Sequence, residues 1–262
     1  MTRCFLAAGL LVLSAACAAK APPRPTGPVT PDPSAAGRFQ SATAQCRGLS
    51  TLTAELALSG RAGDERLRGR VVAGLERGGA ARLEGLAPFG APIFILAAAN
   101  ERARLLLPRD RRVLDDATVS AVLERLTGLT LGADDLRLVL SGCLVESAEP
   151  AEGRRWGSGW QAVRVAPERV AYLRERQGVV VVVAADYGPW RVDYDGHAGG
   201  WPRTVRVRRD GDVAIDVTAR LSQLEINVPI DPRAFALHVP PGMTPMTLDE
   251  LRSVAPLAPK AP

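Results

Sequence analysis

Histidine and lysine are almost missing from this 262-residue chain, which has two of each: His197 and His238, Lys20 and Lys260. His197 in DGHAGG and His238 in FALHVP have no partner spacing that resembles a zinc site or a Ser-His-Asp triad. GSGW at Gly157 to Trp160 is not a G-x-S-x-G nucleophile elbow, and no Walker or dinucleotide glycine pattern follows a strand-like run. The 33 basic residues are therefore nearly all arginine, set against 28 acids for a net charge of +5. They are scattered rather than clustered, which argues against nucleic acid and leaves only weak attraction to anionic lipid head groups. No apolar run reaches the ~20 residues of a membrane-spanning helix. The expectation is a protein that is not an enzyme and carries no metal and no cofactor.

What is present at the N-terminus is an address. Arg3, the apolar run Cys4 to Leu13 and the small residues Ser14-Ala15-Ala16 before Cys17 read as a secretory leader. A cysteine directly after Ala-Ala resembles the lipobox, so residues 1–16 are expected to be removed and Cys17 to carry lipid. An ordinary signal cut near Ala16 or Ala19 is the competing reading. AAKAPPRPTGPVTPDP, Ala18 to Pro33, has almost no large apolar residue, so residues 17–33 are expected to form an extended tether. Residues 34–255 are read as one domain and 256–262 as a Pro-rich disordered tail.

Cys4 leaves with the leader and Cys17 is the lipid site, which leaves Cys46 and Cys143. In an oxidising periplasm the two either pair or stay as buried thiols, and spacing does not decide between them.

Phe39, Ala42, Cys46 and Leu49 recur at helical spacing. Short strands follow: Leu52 to Leu58, Leu67 to Leu75, Arg82 to Leu86, Ile93 to Ala97 and Ala103 to Leu107. The period then changes. Val119, Val122, Leu123 and Leu126 predict a helix that stops at Gly128, and Leu136, Val139, Leu140 and Cys143 predict a second. Asp115-Asp116 and Asp134-Asp135 just before these runs are more cheaply explained as helix caps than as acid/base or metal groups. Glu146 to Arg154 reads as a polar loop. Strands resume at Trp156 to Val165, Arg169 to Arg174, Val179 to Ala185, Trp190 to Tyr194, Thr204 to Arg208 and Val213 to Leu221. Leu224, Ile226 and Val228 fall on the opposite parity from Val213 to Leu221, which predicts a bulge near Ser222-Gln223. The fold class is mainly β: a curved antiparallel, unclosed barrel of about 10–11 strands with a lid of two or three short helices.

Three stretches together resemble the LolA/LolB-like superfamily, and within it the outer-membrane lipoprotein LolB. RLEGLAPFG, Arg82 to Gly90, is similar to the family's strand ending in a Pro-Leu-Gly turn. LTGLTLGADDLRLVLSG, Leu126 to Gly142, is similar to the segment where two short helices meet. WRVDYDGHAGGWPRTVRV, Trp190 to Val207, is similar to its Trp-x-Val-x-Tyr strand, loop and following strand. Coverage runs from about Phe39 to Leu251. The C-terminus from Asn227 extends beyond the family's usual domain.

The resemblance implies a half-barrel whose hydrophobic cavity accommodates acyl chains. It implies acylated lipoproteins and a LolA-like periplasmic carrier as partners, and delivery to the inner leaflet of the outer membrane by a lipid-anchored monomer facing the periplasm. Phe89, between Pro88 and Gly90, stands where the family has an apolar residue that touches the membrane; the competing reading tucks it under the barrel rim. From alternating apolar positions and the lid, the expected cavity residues on the strands are Leu56, Leu58, Val71, Leu83, Ile95, Leu105, Trp190, Val192, Val205, Ile215 and Val217, with Leu123 and Leu136 on the helices. A one-residue error in parity moves a whole strand's set outside. Two other readings compete. One is a structural envelope lipoprotein with a filled core, the other an enzyme on envelope polymer that would use His197, Asp193 or Asp195.

Overall fold

The computed structural model describes residues 23–88, 90–100, 102–146, 152–211 and 213–251. The leader, Cys17, Phe89 and the expected 256–262 tail lie outside the described residues. The strands in chain order are β1 (Thr30–Pro31), β2 (Thr51–Ala62), β3 (Glu65–Glu76), β4 (Ala80–Leu86), β5 (Pro92–Ala99), β6 (Arg102–Leu107), β7 (Arg112–Ala117), β8 (Glu152–Arg155), β9 (Gln161–Ala166), β10 (Arg169–Arg176), β11 (Val179–Tyr187), β12 (Trp190–Asp195), β13 (Thr204–Arg209), β14 (Ile215–Ile226) and β15 (Thr244–Pro245). The helices are α1 (Ser34–Ala42), α2 (Val119–Thr127) and α3 (Ala133–Ser141). None of the described helices is long and apolar enough to cross a membrane.

Among the described residues all fifteen strands belong to one sheet, ordered β1-β8-β9-β10-β11-β12-β13-β14-β2-β3-β4-β5-β6-β7-β15. Pairing is antiparallel except where β15 runs parallel to β7. The two end strands do not pair with each other, so the barrel is unclosed. The sheet nevertheless curls round a single core, because one apolar cluster joins Leu83 of β4 and Leu105 of β6 to Val163 of β9 and Val192 of β12.

Unpaired strand edges invite intermolecular pairing, and both ends of this sheet are covered by chain from the termini. At one end Thr30 and Pro31 pair with Arg155 and Arg154. At the other, Thr244 and Pro245 pair with Arg112 and Val113, and the nearby Met246 and Leu251 are buried in the core. Of the stretch read as tether, the described part thus touches the sheet at Arg24 and at Thr30 to Asp32. Arg24 is ion-paired to Asp186, donates to the Ala185 carbonyl at 2.5 Å and stacks over Tyr172.

Four short strands go beyond the sequence reading. β1, β7, β8 and β15 supply them, and β8 falls inside the stretch expected as a polar loop. Conversely Trp156 to Trp160 is a turn rather than strand, closed by the Trp156 N–H donating to the Trp160 carbonyl at 2.9 Å. The bulge is where the alternation breaks: the β14–β2 register shifts between Ser222 and Glu225, and Gln223 takes φ 49°.

α2 is capped by Thr118, whose hydroxyl accepts from the Ala121 N–H at 3.1 Å, so Asp115 and Asp116 are not its caps. Those acids sit at the end of β7 and pair with Arg104 and Arg102 across the strand turn. Asp135 does cap α3, accepting from the Gly132 N–H at 3.2 Å. α2 stops at Gly128, φ 75°, a left-handed conformation that suits glycine. A β-carbon there would also lie 2.5 Å from Ile215 Cδ1, so glycine lets the lid sit close on β14.

Candidate functional site

The hollow of the half-barrel holds a cavity of about 140 Å³ between the sheet and helices α2 and α3. On the sheet side it is lined by Leu56, Leu58, Val71, Leu83, Val205 and Val217, and on the helix side by Leu123 and Leu136. These eight are among the residues expected from sequence. Leu105, Trp190, Val192 and Ile215 also face inward and are buried in the same apolar cluster, but they pack away from the void.

Ile95 is a correction. Phe94, Leu96 and Ala98 are the buried inward set of β5, which puts Ile95 on the outer face. The sequence PIFILAAA hides the parity because the outer face is also covered. The C-terminal segment crosses it, held by Arg82 donating to the Ala234 carbonyl and Arg104 donating to the Leu237 carbonyl, each at 2.8 Å.

Other lining residues are not among those expected from sequence. Leu129 and Leu131 reach the cavity from the link between the helices, and their signal was two leucines alternating in GLTLG. Gly69 is the more telling omission. It lies on the inward parity of β3 between Leu67 and Val71, opposite Leu58, and a β-carbon there would meet nothing within 4 Å. A glycine inside a clean alternating strand is the sequence mark of a gap or close approach.

The cavity opens sideways. β4 pairs with β3 only from Arg70 to Glu76, so Glu65 to Gly69 have a neighbour on the β2 side alone. Arg68, Arg70, Leu86 and Ile93 line the cavity beside this gap. The turn after β4 borders it, with Pro88 and Gly90 exposed and Gly90 at φ 84°.

The two lid helices are anchored differently. α3 is fixed along its length. At its start Asp135 accepts from the Tyr187 hydroxyl at 2.5 Å and from Arg169 at 3.3 Å. Burial first, then Asp135, pushes the Tyr187 phenol far above its ordinary value, so it remains a donor. Midway, Arg137 is fully buried, donates to the Leu49 carbonyl at 3.0 Å and is ion-paired to Asp134 and Glu146. Past its end, Cys143 forms a disulfide with Cys46, Cα atoms 5.5 Å apart. α2 has its apolar face and one exposed ion pair, Arg125 with Asp249.

Asp193, Asp195 and His197, the groups named for the enzyme reading, are not among the residues that line this cavity. Asp193 is buried on the outer face and held by Arg208 at 2.6 Å. Asp195 and His197 lie at and beyond the end of β12, outside the cavity lining, and burial lowers the affinity of His197 for a proton.

No protein-family model matches the chain, and no curated protein matches it. Several solved structures resemble it. One is a LolA superfamily protein from Nitrosomonas europaea, with 9% identity, a TM-score of 0.47 and coverage of 76% of this chain and 96% of that one. Another is a DUF1329 family protein from Desulfovibrio piger, with 11% identity, a TM-score of 0.46 and coverage of 76% and 95%. A third is a putative outer membrane lipoprotein-sorting protein domain from Vibrio parahaemolyticus, with 10% identity, a TM-score of 0.45 and coverage of 76% and 95%. The architecture observed here, an unclosed antiparallel barrel with helices over its hollow, is the one the sequence resemblance implied.

Proposed function

We propose that this chain is an envelope lipoprotein that holds the acyl part of a hydrophobic ligand between its sheet and its lid. In this reading it takes acylated lipoproteins from a LolA-like periplasmic carrier and places them in the outer membrane, with no covalent step. The observation that carries it is the void lined by aliphatic side chains from both the sheet and the helices. A structural lipoprotein with a filled core would have no such space.

The size of the void sets how the ligand enters. An apolar cavity near 150 Å³ takes a benzene-sized guest, and drug-sized ligands occupy roughly 300–1,000 Å³. At about 140 Å³ the hollow accepts the end of one chain, and a whole acyl chain requires it to widen. α2 is the element that yields, since α3 is tied by the disulfide and by Arg137. Each buried methylene contributes about 0.8 kcal/mol, and this reading requires their sum to exceed what the carrier offers and to fall short of insertion into a bilayer.

The test is transfer. The full chain carrying Cys17→Ser, mixed with a triacylated lipoprotein loaded on a periplasmic carrier, is expected to give a one-to-one complex in native mass spectrometry. Loss of that complex in Val217→Asp supports entry through the cavity. Failure of wild type to accept the lipoprotein while it binds free fatty acid removes the delivery role and keeps the ligand-binding one.

A further inference from the structure

Beside the cavity mouth β3 carries positive charge, most of which has no ion-pair partner among the described residues. Arg66, Arg68 and Arg70 lie on the outward parity of β3, spaced two residues apart on one face. Arg61 of β2 pairs directly with Arg66 in the sheet register. Like charges opposite one another on a sheet are destabilising, so this placement costs stability unless an anion sits among them.

The neighbouring acids do not supply it. Asp216, across from Arg61 on β14, is taken up by Arg206 through two hydrogen bonds of 2.6 and 2.5 Å. Arg70 reaches Glu55 at 3.4 Å while remaining about half exposed. Among the described residues Arg61, Arg66 and Arg68 have no carboxylate within ion-pairing distance, although Asp64 and Glu65 lie at the hairpin turn.

This charge borders the opening. Arg68 lines the cavity where β3 runs on past the end of β4, Arg70 lies at the last β4 pair, and Gly69 between them leaves the inward space empty. A chain lying over Gly69 and leaving past the free edge of β3, residues 65–69, would bring its polar end round to the outer face from which Arg66 and Arg68 project.

We propose that the ligand of this cavity is an anionic amphiphile, its acyl chain inside over Gly69 and its phosphate or carboxylate held at the free edge of β3 by Arg66 and Arg68, with Arg61 adding to the field. The inference rests on the acyl-binding part of the reading above and departs from its lipoprotein cargo, whose acylated cysteine carries no phosphate or carboxylate, by fixing a negative charge on the ligand's head. Guanidinium groups form forked, charge-assisted bonds to phosphate and carboxylate oxygens. One such bond, at about 1.5–3 kcal/mol, corresponds to roughly tenfold or more in affinity.

The test compares three probes on the full chain carrying Cys17→Ser, by native mass spectrometry and calorimetry: a monoacylglycerol phosphate, the uncharged monoacylglycerol of the same chain length, and glycerol phosphate without a chain. The phosphate-bearing amphiphile is expected to bind roughly tenfold or more tightly than the uncharged one. That ratio should fall toward one in Arg66→Gln/Arg68→Gln and shrink with added salt. Glycerol phosphate alone is expected not to bind measurably. Equal affinity for charged and uncharged amphiphiles overturns the proposal and leaves the cavity reading intact. Comparable binding of glycerol phosphate shows a free-anion site and also overturns it. Binding to anionic vesicles with no lipid extracted assigns the arginines to membrane docking, and binding of neither amphiphile removes this proposal together with the cavity reading. Gly69→Leu is the second variant: it should weaken both amphiphiles together, and selective loss of the charged one contradicts the placement of the chain over Gly69.

Discussion

Arg137 on α3 donates to the carbonyl of Leu49 at 3.0 Å, from a side chain fully shielded from solvent. Arg77 donates to the same carbonyl at 2.7 Å and is ion-paired to Glu146, which Arg137 shares. A lid helix is thereby joined to the chain just before β2 by one carbonyl and one carboxylate, each serving two arginines.

The asymmetry of that cluster sets the first prediction. Asp134 and Glu146 keep 43% and 42% of their side chains exposed, so they rehydrate if Arg137 is lost. Arg137 does not rehydrate if the acids are lost. Arg137→Met should cost about 1–2 kcal/mol, and Asp134→Asn/Glu146→Gln about 3 kcal/mol or more, because the second leaves a buried charge uncompensated. Urea midpoints with unchanged slopes check the order, and the reverse order contradicts it.

The disulfide gives the second. Cys46 and Cys143 are 97 residues apart in sequence, and removing a native bridge typically costs about 2–5 kcal/mol. Cys46→Ala/Cys143→Ala should lower the denaturation midpoint accordingly. It should also speed amide exchange in α3 more than in β10 or β11. Uniform acceleration across the domain would mean that the bridge does not act on the lid.

The third concerns β5. Phe94→Ala should cost about 3–5 kcal/mol as a truncation in the core, whereas Ile95→Ala, on the outer face, should cost clearly less. Similar losses at both positions would contradict the register that pairs Ile95 with Glu84 and Leu106.

That strand also shows how far the sequence could be read. Where one face is wet, as in β14 with Asp216, Thr218 and Arg220 between Ile215, Val217 and Ala219, alternation gave strand, parity and bulge together. Gly128 marked the end of the first lid helix, while the second, expected on a spacing that ran to Cys143, stops at Gly142. Where chain from a terminus covers the outer face, the alternation disappears, and β5 was read inside out. β1, β8 and β15 are too short for a period and exist because a longer strand offered an edge. Eight of the lining residues were legible from the apolar positions, while the mouth was not. The mouth depends on β4 ending before β3 does, which is a fact of register that no single stretch carries.

The fourth prediction is an acid sensitivity at the N-terminal edge. Asp32 is held below the usual carboxylate value by the Ser34 hydroxyl at 2.6 Å and by Gln161 at 2.6 Å, with the Ser34 amide adding to these. A carboxylate depressed on folding stabilises the fold fully above its unfolded value, ~3.9, and ceases to do so as pH falls through the lower folded value. Below about pH 4 the β1–β8 edge should loosen first, seen as faster exchange at Thr30 to Ser34. Asp32→Asn should remove that pH dependence, and an unchanged acid profile in the variant would contradict the assignment.

The central claim, an apolar hollow open to a ligand, is tested most directly by titrating an uncharged solvatochromic probe into the full chain and into Gly69→Leu. Glycine at this position has ordinary strand geometry and empty space where a side chain would go, so leucine should fill the hollow without unfolding the barrel. The account predicts a one-to-one blue-shifted complex with wild type, displaced by fatty acid, and its loss in Gly69→Leu at equal or greater thermal stability. Equal probe binding by both proteins, or no binding by wild type, would contradict it.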